Sequence, residues 1–109
     1  MEWSVRKAGH GHVVAPVGRL EATMCDTFLA NVTGVIGDAA RSKEKSLTLD
    51  LAAVTNISPE GLRVLTLVKQ VADDHHVALS IMRPSHRLKE LLAISHLDSI
   101  FDVRSGDDA

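Results

Sequence analysis

The stretch N-I-S-P-E-G-L-R-V-L, residues 56–65, brings a hydroxyl, a carboxylate and a guanidinium close together. A strand-like run, S-L-T-L-D-L-A-A-V, precedes it and an amphipathic helical pattern follows. Ser58, Pro59, Glu60 and Gly61 therefore read as the first turn of a helix at the end of a strand. Glycine in a helix costs about 1 kcal/mol relative to alanine, and nothing in the local pattern offsets that cost. The expectation is that a surface from outside the helix needs close access at Gly61. A helix N-terminus presents free N–H groups and a positive dipole end, which favour a carboxylate or a phosphate. A serine there is also a workable switch, because phosphorylation adds about −1.5 to −2 charge.

Other reactive residue types do not assemble into a site by spacing. The chain has six histidines. His10 and His12 flank a glycine, and His75 and His76 are adjacent, but no third ligand stands at a zinc spacing such as HExxH or CxxC. His86 and His96 read as helix-end residues. Serine, histidine and aspartate are present without a G-x-S-x-G elbow. No G-x-G-x-x-G and no Walker loop occurs. Cys25 falls on or beside the buried side of a helix and reads as an inert thiol. These patterns predict a non-enzymatic protein with no metal and no cofactor.

Bulk composition narrows the class. The 109 residues suit one domain, and 45% hydrophobic with 24% charged residues is a globular balance. Aromatics are 3%, so the core must be aliphatic. A net charge of −2 without a basic stripe speaks against nucleic acid. One cysteine permits no internal disulfide and is consistent with a reducing, cytoplasmic setting. The charged start M-E-W-S-V-R-K does not resemble a secretory signal, and no apolar run reaches the ~20 residues of a membrane span.

The elements that must position residues 56–65 follow from periodicity. Trp3–Ala8 and His12–Val17 read as a hairpin around Gly9-His10-Gly11, and this hairpin offers an edge; Pro16 suggests an edge position or a bulge. Met24, Phe28, Val32, Val35 and Ile36 mark a helix closed by Gly37-Asp38, and R-S-K-E-K is a solvated connection. Residues 46–53 form a strand. A second helix runs from Pro59 to about Asp74, with Ser58 as N-cap and Leu62, Leu65, Val68, Val71 and Ala72 on one face. Val77, Leu79 and Ile81 make a strand parallel to the previous one, joined by a right-handed crossover. Pro84-Ser85 starts a third helix bearing Leu88, Leu91 and Leu92. Leu97, Ile100, Phe101 and Val103 should pack back on the core. The expected fold is a single α/β domain over 1–104, a mixed four- or five-stranded sheet with three to four helices, followed by a frayed tail at 105–109.

The run L-T-L-D-L-A-A-V, then I-S-P-E-G-L-R-V-L, then V-A-L-S-I-M-R-P-S-H-R-L-K-E-L-L-A-I-S-H-L-D-S-I-F resembles the STAS domain, the sulfate-transporter and anti-sigma-factor-antagonist family. Gly18-Arg19-Leu20 resembles that family's early G-x-L step, and the likeness extends from about Val13 to Val103. It implies a STAS-like fold and a role similar to that of stand-alone bacterial anti-sigma factor antagonists. In that group the antagonist binds an anti-sigma factor that is also a serine kinase of the histidine-kinase-like ATPase type. Phosphorylation on the turn before the second helix releases it, and a PP2C-type phosphatase resets it.

The chain departs from the family pattern at the phosphoacceptor. Aligned on Gly61, the family's D-S-S-G becomes Ser58-Pro59-Glu60-Gly61, so the usual acceptor serine is replaced by Glu60. A carboxylate brings one charge and two acceptor oxygens, against nearly two charges and three oxygens for phosphate. Three consequences stand open: Glu60 holds the domain in a phospho-like form, the partner does not use the switch, or Ser58 is the acceptor. The resemblance places the partner-binding surface on Asn56, Ser58, Pro59, Glu60, Gly61 and Arg63, continuing along Thr66, Lys69 and Gln70 on the outer face of the second helix. An alternative is a STAS accessory subunit docked on the ATPase of an ABC-type lipid transport system. A third reading is a nucleotide or lipid-headgroup binder, against which Glu60 itself argues.

Overall fold

In the computed structural model, which describes residues 2–8 and 11–104, the chain opens with a hairpin, β1 (Glu2–Ala8) and β2 (Gly11–Leu20), and enters a long helix, α1 (Ala22–Ala40). Next come β3 (Ser46–Asp50), β4 (Val54–Ile57), α2 (Pro59–Asp74), β5 (Ala78–Met82) and α3 (His86–Ile94). A 3₁₀ turn (Leu97–Ser99) and β6 (Asp102–Arg104) complete it. The expected tail at 105–109 lies outside the described residues, as does His10.

The sheet has six strands in the order β1-β2-β3-β5-β6, with β4 paired to the far end of β2. β1 is antiparallel to β2, and the other pairs are parallel. Each parallel step moves the same way across the sheet, so right-handed crossovers put α1, α2 and α3 on one face. The register shows that face. Val14 lies beside Leu49 and Leu49 beside Ile81, and all three belong to the core with Leu47 and Leu79. Their alternating neighbours Val13 and Met82 are buried without joining that core. Between them, Thr48 and Ser80 share a hydroxyl hydrogen bond of 3.1 Å.

Several elements differ from the sequence expectation for local reasons. α1 continues through Gly37 to Ala40, because Ile36 and Ala39 still face the core and one helical glycine is tolerated. The strand at 46–53 stops at Asp50, whose Oδ1 accepts the Ala52 N–H at 3.1 Å and turns the chain. β4 then forms as a separate short strand. Pro16 is neither at an edge nor exposed, since β2 is an interior strand and Pro16 is fully buried. It sits where β2 changes partners: β3 pairs with residues 12–14 and β4 only from Gly18 onward. No ladder N–H is required in that gap, which suits proline. Gly18, at φ +105°, takes up the register shift there. Leu97 and Phe101 pack into the core as expected, whereas Ile100 is 44% exposed beside α2.

One ion pair joins the central strands. The Asp50 side chain, 4% exposed, receives Arg83 in a two-pronged contact, with Nε at 3.2 Å from Oδ1 and the guanidinium Nη2 on Oδ2. Arg83 adopts a left-handed backbone at φ 55°, costly for a non-glycine residue, and this contact helps hold it there. Burial pushes the Asp50 carboxyl up. The hydrogen bonds from Arg83 and the Ala52 N–H, with the charges of Arg83 and Arg6, outweigh burial and hold it below the ordinary range.

Arg83→Ala should therefore cost about 3 kcal/mol in urea unfolding, the low end for a buried carboxylate stripped of its partner. The folded carboxyl titrates below the unfolded one, so its contribution is complete above about pH 4 and is lost as pH falls through the folded value. Asp50→Asn should flatten the loss of stability in that acid window.

Candidate functional site

β2, β4 and β5 each end where a helix begins, so the N-termini of α1, α2 and α3 gather at the C-terminal edge of the parallel strands. Leu20, the last residue of β2, pairs with Ile57, the last of β4. Its carbonyl accepts the Ser58 N–H at 2.9 Å. The Ser58 hydroxyl accepts the Gly61 N–H at 3.1 Å, which is the N-cap expected from sequence, and Pro59 follows at the first helical position.

Gly61 is buried. A Cβ on it would lie 2.7 Å from the Leu20 carbonyl oxygen, 2.8 Å from Ile57 Cγ2 and 3.0 Å from Leu20 Cγ. The close approach inferred from sequence is real, but the surface that approaches is internal. Gly61 lets α2 start against the end of β2, and it is not open to a partner. This corrects its assignment to the binding surface.

Around this buried joint stands an outer polar plate. Pro59, Glu60 and Arg63 are exposed, with Ser58 and Asn56 half-buried. Glu60 lies in the first turn of α2, where the helix dipole favours a carboxylate. Two contributions were not read from sequence. Arg87 of α3 donates from Nε to Asn56 Oδ1 at 3.2 Å, and Arg19 lies 3.6 Å from Glu21 at the entry to α1. Farther along α2, Thr66 and Gln70 are exposed as expected, but Lys69 is held at 2.5 Å by Asp73 and its side chain is only 22% exposed.

Cys25 is buried next to this plate and donates its S–H to the Glu21 carbonyl at 3.2 Å. Burial, then the charges of Glu60 and Asp26, push its thiol up, so it stays protonated and unreactive. Among the described residues no three His, Cys, Asp or Glu side chains are placed to share a metal ion. His86 Nε2 lies 2.8 Å from Glu90, and His75 Nδ1 2.9 Å from the Val71 carbonyl. No helix among the described residues is long and apolar enough to cross a membrane. The arrangement leaves an exposed, charged surface at the start of α2.

The family model described as Mlab, STAS domain, matches residues 3–103. Among solved structures the chain is similar to an anti-sigma factor antagonist from Mycobacterium paratuberculosis. That pair shares 16% identity over 94% of this chain and 84% of the other, with a TM-score of 0.80. It is also similar to the anti-sigma factor antagonist SpoIIAA in its unphosphorylated form, at 9% identity over 98% of this chain and 90% of that one, TM-score 0.77. The phosphorylated form of the Bacillus cell fate determinant SpoIIAA gives 9% identity, 98% and 93% coverage, and a TM-score of 0.71. At these identities the likeness establishes the fold. No curated protein matches the sequence.

Gly61→Ala tests the joint at the centre of this site. On propensity alone alanine should stabilise α2 by about 1 kcal/mol. The contacts at Leu20 and Ile57 predict the opposite sign, a net loss of about 2 kcal/mol in urea unfolding, within the range for overpacking.

Proposed function

On the premise that this chain belongs to the STAS family described as Mlab, STAS domain, we propose that it is a regulatory protein-binding module of the anti-sigma factor antagonist kind. Its partner is an anti-sigma factor that is also a serine kinase of the histidine-kinase-like ATPase type. The exposed carboxylate of Glu60 in the first turn of α2 carries the reading. It stands on an exposed plate where the family pattern has a phosphoacceptor serine. Glu60 supplies a permanent charge there, so the surface is fixed in one electrostatic state. Asn56, Pro59, Arg63 and Arg87 form the rest of the contact surface, and Ser58 acts as the helix cap. The protein works by binding, without catalysis, in the cytoplasm.

The same observation favours a second reading. A STAS subunit with no acceptor serine at this position also suits a constant structural partner, the cytoplasmic ATPase of an ABC-type lipid transporter.

Titrating the partner recovered from the native cell lysate tests the surface. Glu60→Lys should change affinity by tenfold or more, about 1.4 kcal/mol, and Glu60→Ser by less. Both should leave the urea midpoint nearly unchanged, because the side chain is exposed. Equal affinity for all three proteins would argue against the surface. Incubation with the kinase and ATP should leave the intact mass unmodified. A one-phosphate gain abolished by Ser58→Ala would move the switch to Ser58.

A further inference from the structure

β1 ends the strand order, so one side of its backbone faces no neighbouring strand within it. Such an edge is a template for another strand unless it is blunted. On the helix side of the sheet, Val5 is 47% exposed although its cross-strand partner Val14 is fully buried. Beside it Trp3 lines a shallow depression with Met24, Thr27, Phe28 and Asn31 of α1. This edge therefore carries unfilled apolar surface along with its backbone groups.

We propose that β1 is a dimerisation strand whose occupant is β1 of a second copy of this chain, paired antiparallel about a two-fold axis through Ser4. The register follows from the side chains. Residues paired across an antiparallel ladder share a face, so the axis must pass through a residue position. At Ser4 it sets acidic position 2 opposite basic Arg6, twice, and Trp3 opposite Val5, twice. The partner's Val5 then arrives beside Trp3 and the depression under α1. An axis at Val5 would set Trp3 against Lys7 and leave the acid without a base, and an axis at Arg6 would oppose like charges. The pairing is isologous and closed, which limits growth to two copies. It does not rest on the functional reading above.

Sedimentation of the full chain across the micromolar range tests this. The wild type should be a dimer at the upper end, Glu2→Arg and Arg6→Glu should each be monomeric, and the double exchange should restore the dimer. Restoration also excludes misfolding as the cause of the single losses. In a Cys25→Ala background, Ser4→Cys should lock the dimer on mild oxidation, because paired residues on the axis lie within disulfide reach. Lys7→Cys should not. A monomer at every concentration, a dimer indifferent to the charge exchanges, or equal cross-linking at both positions would overturn the proposal.

Discussion

The approach of the Leu20 carbonyl to Gly61 is the contact on which the rest of the site depends. That oxygen accepts the Ser58 N–H and stands 2.7 Å from where a Cβ on residue 61 would be. It joins the end of β2 to the start of α2 with no side chain between them. Glu21 and Ala22, which begin α1, come directly after Leu20. Two helix starts are therefore set by one backbone joint. Glu60 rides on that joint, and its charge reaches Cys25 across it. The position of the exposed carboxylate is thus a property of the core.

A second anchor works from the other side of the sheet. Asp50 ends β3 and Arg83 follows β5, and their contact holds the turns that lead to β4 and α3. These turns fix where Asn56 and Arg87 meet. On the proposed function, Glu60 stands where the family pattern has a serine, and the plate presents the same charge continuously. That suits a binding module whose partner, not its own modification, determines when it engages.

Much of this was legible in the sequence where the signal is local. Ser58, Pro59 and the apolar stripe through Leu65, Val68 and Ala72 marked α2 from end to end. Alternating Leu47, Leu49 and Leu51 marked the central strand. Contacts between distant residues were not legible. Gly61 signals that something must come close, but Leu20, which does so, lies in β2, 41 positions earlier, where no local pattern links the two. Asp50 and Arg83 are 33 residues apart, and Asn56 and Arg87 are 31 apart. The four residues of β4 look like a loop until β2 is known to change partners at Gly18. That change of partners also explains the buried Pro16, which violates the strand rule only if the strand pairs along its whole length.

The central claim is that Glu60 on this plate is the contact point for a signalling kinase. The most direct test is to capture the protein from its native cells with a C-terminal tag, in parallel with the Glu60→Lys variant, and identify the co-purifying chains by mass spectrometry. A histidine-kinase-like ATPase retained by the wild type and lost from the variant is the predicted result. A transporter ATPase with its membrane subunits, retained equally by both, would contradict it.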